Sequence, residues 1–150
     1  MLKKFFATDK AFSTTILRVM LGVVMFPHGA QKLLGWFGGR GYEATIKGFT
    51  TGNLHLPEFL AVLIVLTESV GALALVAGFF TRLAALAVTV DMACAAILVH
   101  SKIGFFMNWS GTAKGEGFEY HLLMIAIGLA VMIKGGGLWS LDGVIAKRLR

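Results

Sequence analysis

The sequence predicts an all-α fold, a polytopic membrane protein built as a bundle of four transmembrane helices. Hydrophobic residues make up 57% of the chain and charged residues 15%, whereas soluble domains lie closer to half apolar and a quarter charged. The mean hydropathy is +0.78. The apolar stretch 59–80 has no polar face of the kind that a soluble amphipathic helix needs. We interpret residues 1–150 as a single membrane domain.

The predicted spans are apolar runs near the roughly 20 helical residues that cross a hydrocarbon core about 30 Å thick. They cover residues 13–35, 57–78, 82–101 and 119–134. Pro57 suits the first turn of the second span, and a run of glycines from Gly135 ends the fourth. Because the fourth run is short, a three-span chain with one re-entrant segment is the alternative.

The start of the chain, basic and then apolar, is similar to a signal peptide. Arg18 interrupts the apolar run and no small-residue cleavage site follows, so we interpret this segment as a retained first span. On a four-span topology, nine Lys or Arg residues lie on the side of both termini and five lie on the other side. The positive-inside rule then predicts a multi-pass protein of the bacterial inner membrane with both termini inside, N-in/C-in.

Composition also narrows the partners and the chemistry. The net charge is +6, with cations at the ends of apolar runs, which favours contact with the lipid bilayer over binding to nucleic acid. The single Cys94 excludes an intramolecular disulfide. The sequence contains no H-E-x-x-H, C-x-x-C, G-x-S-x-G or G-x-G-x-x-G motif. It therefore shows no electron carrier of its own.

Polar residues inside the predicted spans are the candidates for function, because a charge in hydrocarbon costs at least about 2.5 kcal/mol on insertion scales. His28, Gln31 and Lys32 are spaced i, i+3 and i+4, so they share one helix face. Glu68 and Asp91 lie near the middle of spans two and three, and His100 and Glu119 flank the second of two long loops that are predicted over residues 36–56 and 102–118. The candidates are His28, Gln31, Lys32, Glu68, Asp91, His100 and Glu119.

The predicted topology places His28, His100 and Glu119 in the outer half of the membrane. Glu68 lies eleven residues, or about 16 Å, below the outer end of its span. This predicts a pocket that opens outward and has Glu68 as its floor. Glu119 and His121 are about 200° apart on a helix, so only one of them is expected to face the pocket.

Each candidate also has a purely structural interpretation. His28 and His100 are then interfacial residues that solvate helix ends, and Glu68 pairs with Lys32, Arg18 or a histidine to specify packing. Lys32 alone is then a side chain that snorkels to the interface. Asp91 bonds a neighbouring helix or mediates dimerisation.

A series of short motifs, in this order and spacing, resembles the DoxX family of small bacterial membrane proteins over nearly the whole chain. The motifs are Leu17-Arg18, His28-Gly29-Ala30-Gln31-Lys32 with Gly35, Glu68 with Gly71, residues 78–85, His100 with Gly104-Phe105-Phe106, Glu119-Tyr120, and residues 138–142. Asp91 is not part of this pattern. The resemblance implies a four-helix, membrane-embedded fold. It also implies an association with redox chemistry, since some members accompany a thiosulfate:quinone oxidoreductase and others redox-stress complexes.

The leading hypothesis is a quinone-linked redox subunit that works with a redox partner protein and forms a homo-oligomer. Its catalytic residues are expected to be His28, Glu68 and Glu119, and its ligand-binding residues Gln31, Lys32, Asp91 and His100. One alternative is a non-enzymatic module that binds or conducts a small solute, or that scaffolds a partner enzyme. Another is a metal or haem site built from His28, His100 and His121, although no metal-ligand motif supports it.

Overall fold

The computed structural model describes residues 2–149, which form helices and loops with no β-strand in that range. The all-α prediction is therefore confirmed for this part of the chain. Met1 and Arg150, which enter the arguments about the chain start and the charge count, lie outside the described residues. Three helices are long and apolar enough to cross a membrane, Phe12–Leu33, Glu58–Ala77 and Thr81–Lys102. They match the first three predicted spans closely.

The helices are numbered in chain order. They are α1 (Leu2–Phe6), α2 (Phe12–Leu33), α3 (Gly41–Thr51), α4 (Glu58–Leu66), α5 (Ala72–Ala77), α6 (Thr81–Leu98), α7 (Glu119–Lys134) and α8 (Leu141–Arg148). A π-helical turn, Thr67–Gly71, joins α4 to α5 within one continuous span. A 3₁₀ turn, His100–Lys102, follows α6. Helix α7 has the predicted bounds, but its 16 residues rise only about 24 Å.

The core lies where α2 packs against α5, the π-helical turn and α7, and where α6 packs against α7. Leu21, Leu75 and Val88 are among its fully buried side chains. Gly22 and Gly29 allow α2 to come into backbone contact with the second span. A Cβ atom on Gly22 would lie 2.6 Å from the Ala72 carbonyl oxygen, so only a glycine permits this approach.

The outer surface of the bundle is apolar. Large hydrophobic side chains are exposed along every long helix, and they include Ile16, Phe59, Leu63, Leu83, Ile97, Leu123 and Ile133. Soluble monomers rarely expose apolar surface on this scale. The surface is that of a protein whose helices face lipid.

One end of the bundle, here called the terminal end, contains α1, the turn between α5 and α6, the end of α7, and α8. The Asp9 amide donates to the Lys134 carbonyl at 3.1 Å. The Asp142 carboxylate accepts the backbone N–H groups of Phe80 and Thr81, both at 2.8 Å, and so caps the start of α6. The first and last helices, α1 and α8, contact one another and therefore lie at the same end of the bundle.

Two arginines satisfy helix carbonyls at this terminal end. Arg18 is only 1% exposed and donates to the carbonyls of Leu75, Val76 and Gly136 at 2.6–2.7 Å. Arg82 donates to the carbonyl of Ile133 at 2.7 Å and to that of Met132. Carbonyls in the last turn of a helix have no partner within the helix, and the arginines supply donors for those of α5 and α7. Arg18 faces protein, as its position in the first span requires.

The opposite end, here called the loop end, departs from the sequence prediction. Residues 36–56 were expected to form a loop, but they contain α3. Ile46 of this helix is buried against Ala61 and Val65 of α4, and Phe49 packs beside it. Glycines at both ends of this short segment hide its helical periodicity, and the apolar i, i+3 pair is its one signal.

Candidate functional site

An ion pair joins the first two spans inside the bundle. The Lys32 ammonium of α2 and the Glu68 carboxylate of the π-helical turn are 2.5 Å apart. The lysine side chain is 25% exposed and the glutamate side chain 6%. A pair this close and this enclosed is shielded from water, so its charges interact more strongly than those of a surface pair.

The π-helical turn explains why Glu68 points inward. Thr67, Glu68 and Ser69 are all buried, with exposures of 6%, 5% and 3%, although three consecutive residues of an α-helix spread over most of its circumference. The Ser69 hydroxyl donates to the Val65 carbonyl at 2.5 Å. On the facing helix, a Cβ atom on Gly29 would lie 2.2 Å from the Glu68 carbonyl oxygen. Single π-helical turns of this kind are frequent at functional sites.

Asp91 of α6 adds a second carboxyl group to this ion pair. Helix α6 packs against the π-helical turn, and the Asp91 carboxyl group lies within electrostatic reach of Glu68 and Lys32. Its Oδ2 atom is buried and has no hydrogen-bond partner among the described residues. The structure thus brings together Glu68, which is part of the series of motifs described above, and Asp91, which is not.

Tyr120 and three histidines surround this centre on the side of the loop end. The Tyr120 hydroxyl is buried without a partner in the described part of the chain, and it lies within electrostatic reach of Glu68. The His28 ring is 6.4 Å from the Tyr120 ring, and the His100 and His121 rings are 4.2 Å apart. We call Lys32, Glu68, Asp91 and Tyr120 the polar cluster, and His28, His100 and His121 the histidine group.

Glu119, which is expected to be catalytic, and His121 lie in different surroundings. His121 is 5% exposed, and its Nδ1 atom has no partner within residues 2–149. The Glu119 carboxylate instead accepts the Met107 amide at 2.8 Å and the Trp109 indole N–H at 3.2 Å. Glu119 is the first residue of α7, so these two hydrogen bonds hold the second long loop against the start of that helix.

The other predicted residues lie at the edges of the site. The Gln31 side chain donates to the Phe37 carbonyl at 3.2 Å and so braces the first loop. His28 is exposed on the surface of α2. The Nδ1 atom of His100 is 2.8 Å from the Glu116 carbonyl oxygen, which ties the 3₁₀ turn to the second loop.

The comparisons with known proteins agree with the architecture. The DoxX family profile matches residues 13–101, which is more than half of the chain and includes Lys32, Glu68 and Asp91.

The chain belongs to the DoxX family.

A Bacillus subtilis (strain 168) protein, CatD, is 32% identical over 141 residues, or 93% of this chain and 92% of CatD. The description of CatD as an oxidoreductase is itself provisional. No solved structure matches the chain significantly. As a DoxX protein with apolar helices of spanning length, the molecule is a membrane protein.

An open groove lies at the loop end of this DoxX protein, beside α3. It has a volume of about 490 Å³, and its lining includes Gln31, Lys32, Arg40 and Val99. Lys32 stands between this groove and Glu68. The groove therefore reaches the cation of the ion pair, but the carboxylate beneath it is closed off.

A metal centre built from the histidine group finds no support in the DoxX protein. No group of three His, Cys, Asp or Glu side chains between residues 2 and 149 is placed to hold a metal ion. His100 and His121 are tilted against one another at 41°, and their nitrogens do not converge with a third donor. The histidine group is better suited to hydrogen bonding or proton exchange than to ligation.

Proposed function

We propose that this DoxX protein is a single-domain, four-span protein of the bacterial inner membrane with both termini in the cytoplasm. The exposed side chains of Leu122, Leu123 and Ile133 support α7 as the fourth span, because they would meet lipid. The meeting of α1 and α8 at one end suits an even number of spans. The excess of Lys and Arg on the side of that end supports its cytoplasmic placement.

Within this topology the protein acts as a redox-associated subunit that binds a quinone beside the polar cluster. The observation that carries this proposal is a buried ion pair midway along a span, accompanied by polar atoms that lack partners in the described chain. Those atoms are Asp91 Oδ2, Tyr120 Oη and His121 Nδ1. Buried polar groups are normally satisfied, so a set of unsatisfied ones at one place favours a bound polar ligand.

The residues present fit the needs of a quinone ring. Tyr120 offers a hydroxyl donor and Lys32 an ammonium group, so each could hold one carbonyl oxygen. A bound quinone would supply the chemistry of accepting two electrons and two protons. The chain shows no electron carrier, so a reduced partner protein would supply the electrons. The oxidoreductase description of CatD supports the redox assignment.

A non-enzymatic module that scaffolds a partner enzyme is the second candidate. The enclosure of Glu68, which is 5% exposed, favours it. With the carboxylate closed off beneath Lys32, the ion pair would serve to fix the packing of α2 against the second span. A protein of this kind would bind its partner and hold no quinone.

Retention of an added quinone by the full chain in lipid nanodiscs distinguishes the two candidates. Glu68→Gln removes the charge beneath Lys32, while Glu58→Gln removes an exposed carboxylate at the start of the same span and serves as the matched control. We expect wild type and Glu58→Gln to retain the quinone and Glu68→Gln to bind it about tenfold more weakly, the equivalent of about 1.4 kcal/mol. No retention by wild type would leave the scaffold, and equal retention by all three would place the quinone elsewhere.

A further inference from the structure

The polar cluster has an unusual balance of charges. Glu68 and Asp91 lie within electrostatic reach of each other where α6 packs against the π-helical turn, and the buried Oδ2 atom of Asp91 has no hydrogen-bond partner among residues 2–149. Among the described residues, Lys32 is the one cation in salt-bridge contact with this pair, and its ammonium is 2.5 Å from Glu68. A hydrogen bond between the two carboxyl groups would require that one of them carries a proton.

Burial strengthens this argument. Glu68 is 5% exposed, and the Oδ2 atom of Asp91 is removed from solvent. Lys32 balances one negative charge, whereas a second carboxylate charge in the same enclosed place would have no counterion. Adjacent carboxyl groups in such surroundings share a proton, because both cannot ionise together.

The groups that face the pair belong to three further elements. Lys32 and His28 face it from α2, and both lie within electrostatic reach of Glu68. Tyr120 faces it from α7, while His121 and His100 lie one ring further toward the loop end. Lys32 is the only cation in contact among these residues of the described chain, so its positive charge is balanced by the single negative charge of two carboxyl groups that share one proton.

We propose that Glu68 and Asp91 form an acid pair that binds one exchangeable proton within the membrane domain. On release, Lys32, which is partly exposed in the groove, gives one N–H proton to water there and takes the proton of the acid, whose O–H bond breaks, so that Lys32 remains an ammonium. Uptake reverses this step and no electron moves. The pair stands whether or not a quinone binds, and only its use as a proton donor to a quinone rests on the proposed function.

Infrared spectroscopy of the full chain in lipid, in H₂O and in D₂O at neutral pH, detects such an acid directly. We expect wild type to show the carbonyl stretch of about one protonated carboxyl group per chain, shifted by deuterium. Asp91→Asn and Glu68→Gln should each abolish this band, because the remaining carboxyl group then pairs with Lys32 as an ion. The exposed Glu58→Gln should leave it unchanged.

Lys32→Met provides a test that does not depend on the loss of a signal. With the cation gone, both carboxyl groups should be protonated, and the acid band should rise about twofold; the exposed Lys102→Met is the control. Absence of a protonated carboxyl group in wild type would overturn the proposal, as would a band that survives in both Asp91→Asn and Glu68→Gln. If the band is present but no quinone is retained, the proposed function fails and the acid pair remains.

Discussion

At the scale of single residues, Gly29 sets the distance between the first two spans. An added Cβ atom would meet the backbone of the second span, 2.2 Å from the Glu68 carbonyl oxygen and 2.5 Å from the Ser69 nitrogen. We expect Gly29→Ala to destabilise the protein by about 1–3 kcal/mol, because backbone atoms must move to admit the methyl group. Thermal unfolding in detergent measures this loss.

Gly48→Ala is the matched control for this substitution. Gly48 also lies within a helix, but the nearest atom to its added Cβ, in the Arg40 side chain, is 4.0 Å away. Alanine is the better helix former by about 1 kcal/mol, so this variant should be as stable as wild type or slightly more so. Equal losses in the two variants would show that Gly29 is not a close contact.

The positions of individual polar residues were only partly predictable. Sequence spacing found Lys32 and Glu68 as candidates, because a charge within an apolar run stands out. The different surroundings of Glu119 and His121 were not predictable, since both begin the same helix and the contacts of Glu119 come from Met107 and Trp109 in a loop. No local pattern reports which direction such a loop takes.

At the scale of helices, Arg18 joins three segments through their carbonyl groups. Arg18→Lys keeps the charge but replaces a planar, five-donor group by a point-like ammonium on a shorter reach. At least one of the buried carbonyls of Leu75, Val76 and Gly136 should then lose its partner, at a cost of about 1–3 kcal/mol. Unfolding measurements test this, with the exposed Arg148→Lys as a control that should change stability by less than about 0.5 kcal/mol.

The π-helical turn gives the second span one residue more than an α-helix of the same length would hold. Deletion of Val70, whose side chain is 56% exposed, should convert the turn to α-helix and leave a folded protein. The direction of Glu68 would change, so its pairing with Lys32 should be lost. Circular dichroism should remain helical while the deuterium-sensitive acid band changes, whereas Val70→Ala should alter neither. An unchanged band in the deletion variant would contradict this role of the turn.

The long helices were predictable because hydropathy is a local property of the sequence. The apolar run in each span is longer than the apolar stretches of helices in soluble proteins. The π-helical turn was not predictable. It depends on the approach of Gly29 to the Glu68 carbonyl, a contact between residues distant in sequence. Helix α3 has no strong signal either, since its stability comes from the packing of Ile46 on α4.

At the scale of the whole molecule, the topology can be read by thiol labelling. In a Cys94→Ala background, which removes the single native thiol, Ser110→Cys places a thiol in the second loop and Lys147→Cys places one in α8. A membrane-impermeant reagent should label Ser110→Cys in intact cells and Lys147→Cys only after permeabilisation. Labelling of both in intact cells would contradict the four-span arrangement with both termini inside.

The way Arg18 is held has a consequence for how the protein is made. Its carbonyl partners lie 57, 58 and 118 residues further along the chain, so the first helix leaves the ribosome with an arginine that nothing yet satisfies. An arginine costs free energy on insertion scales, about 2.5–3.5 kcal/mol at the centre of a membrane helix and less toward its ends, and Arg18 lies in the first third of α2. The first helix should therefore enter the bilayer weakly on its own and become secure only after the glycine-rich segment beyond α7 has been synthesised. Nascent chains that stop short of Gly136 would then be natural targets for membrane quality-control proteases.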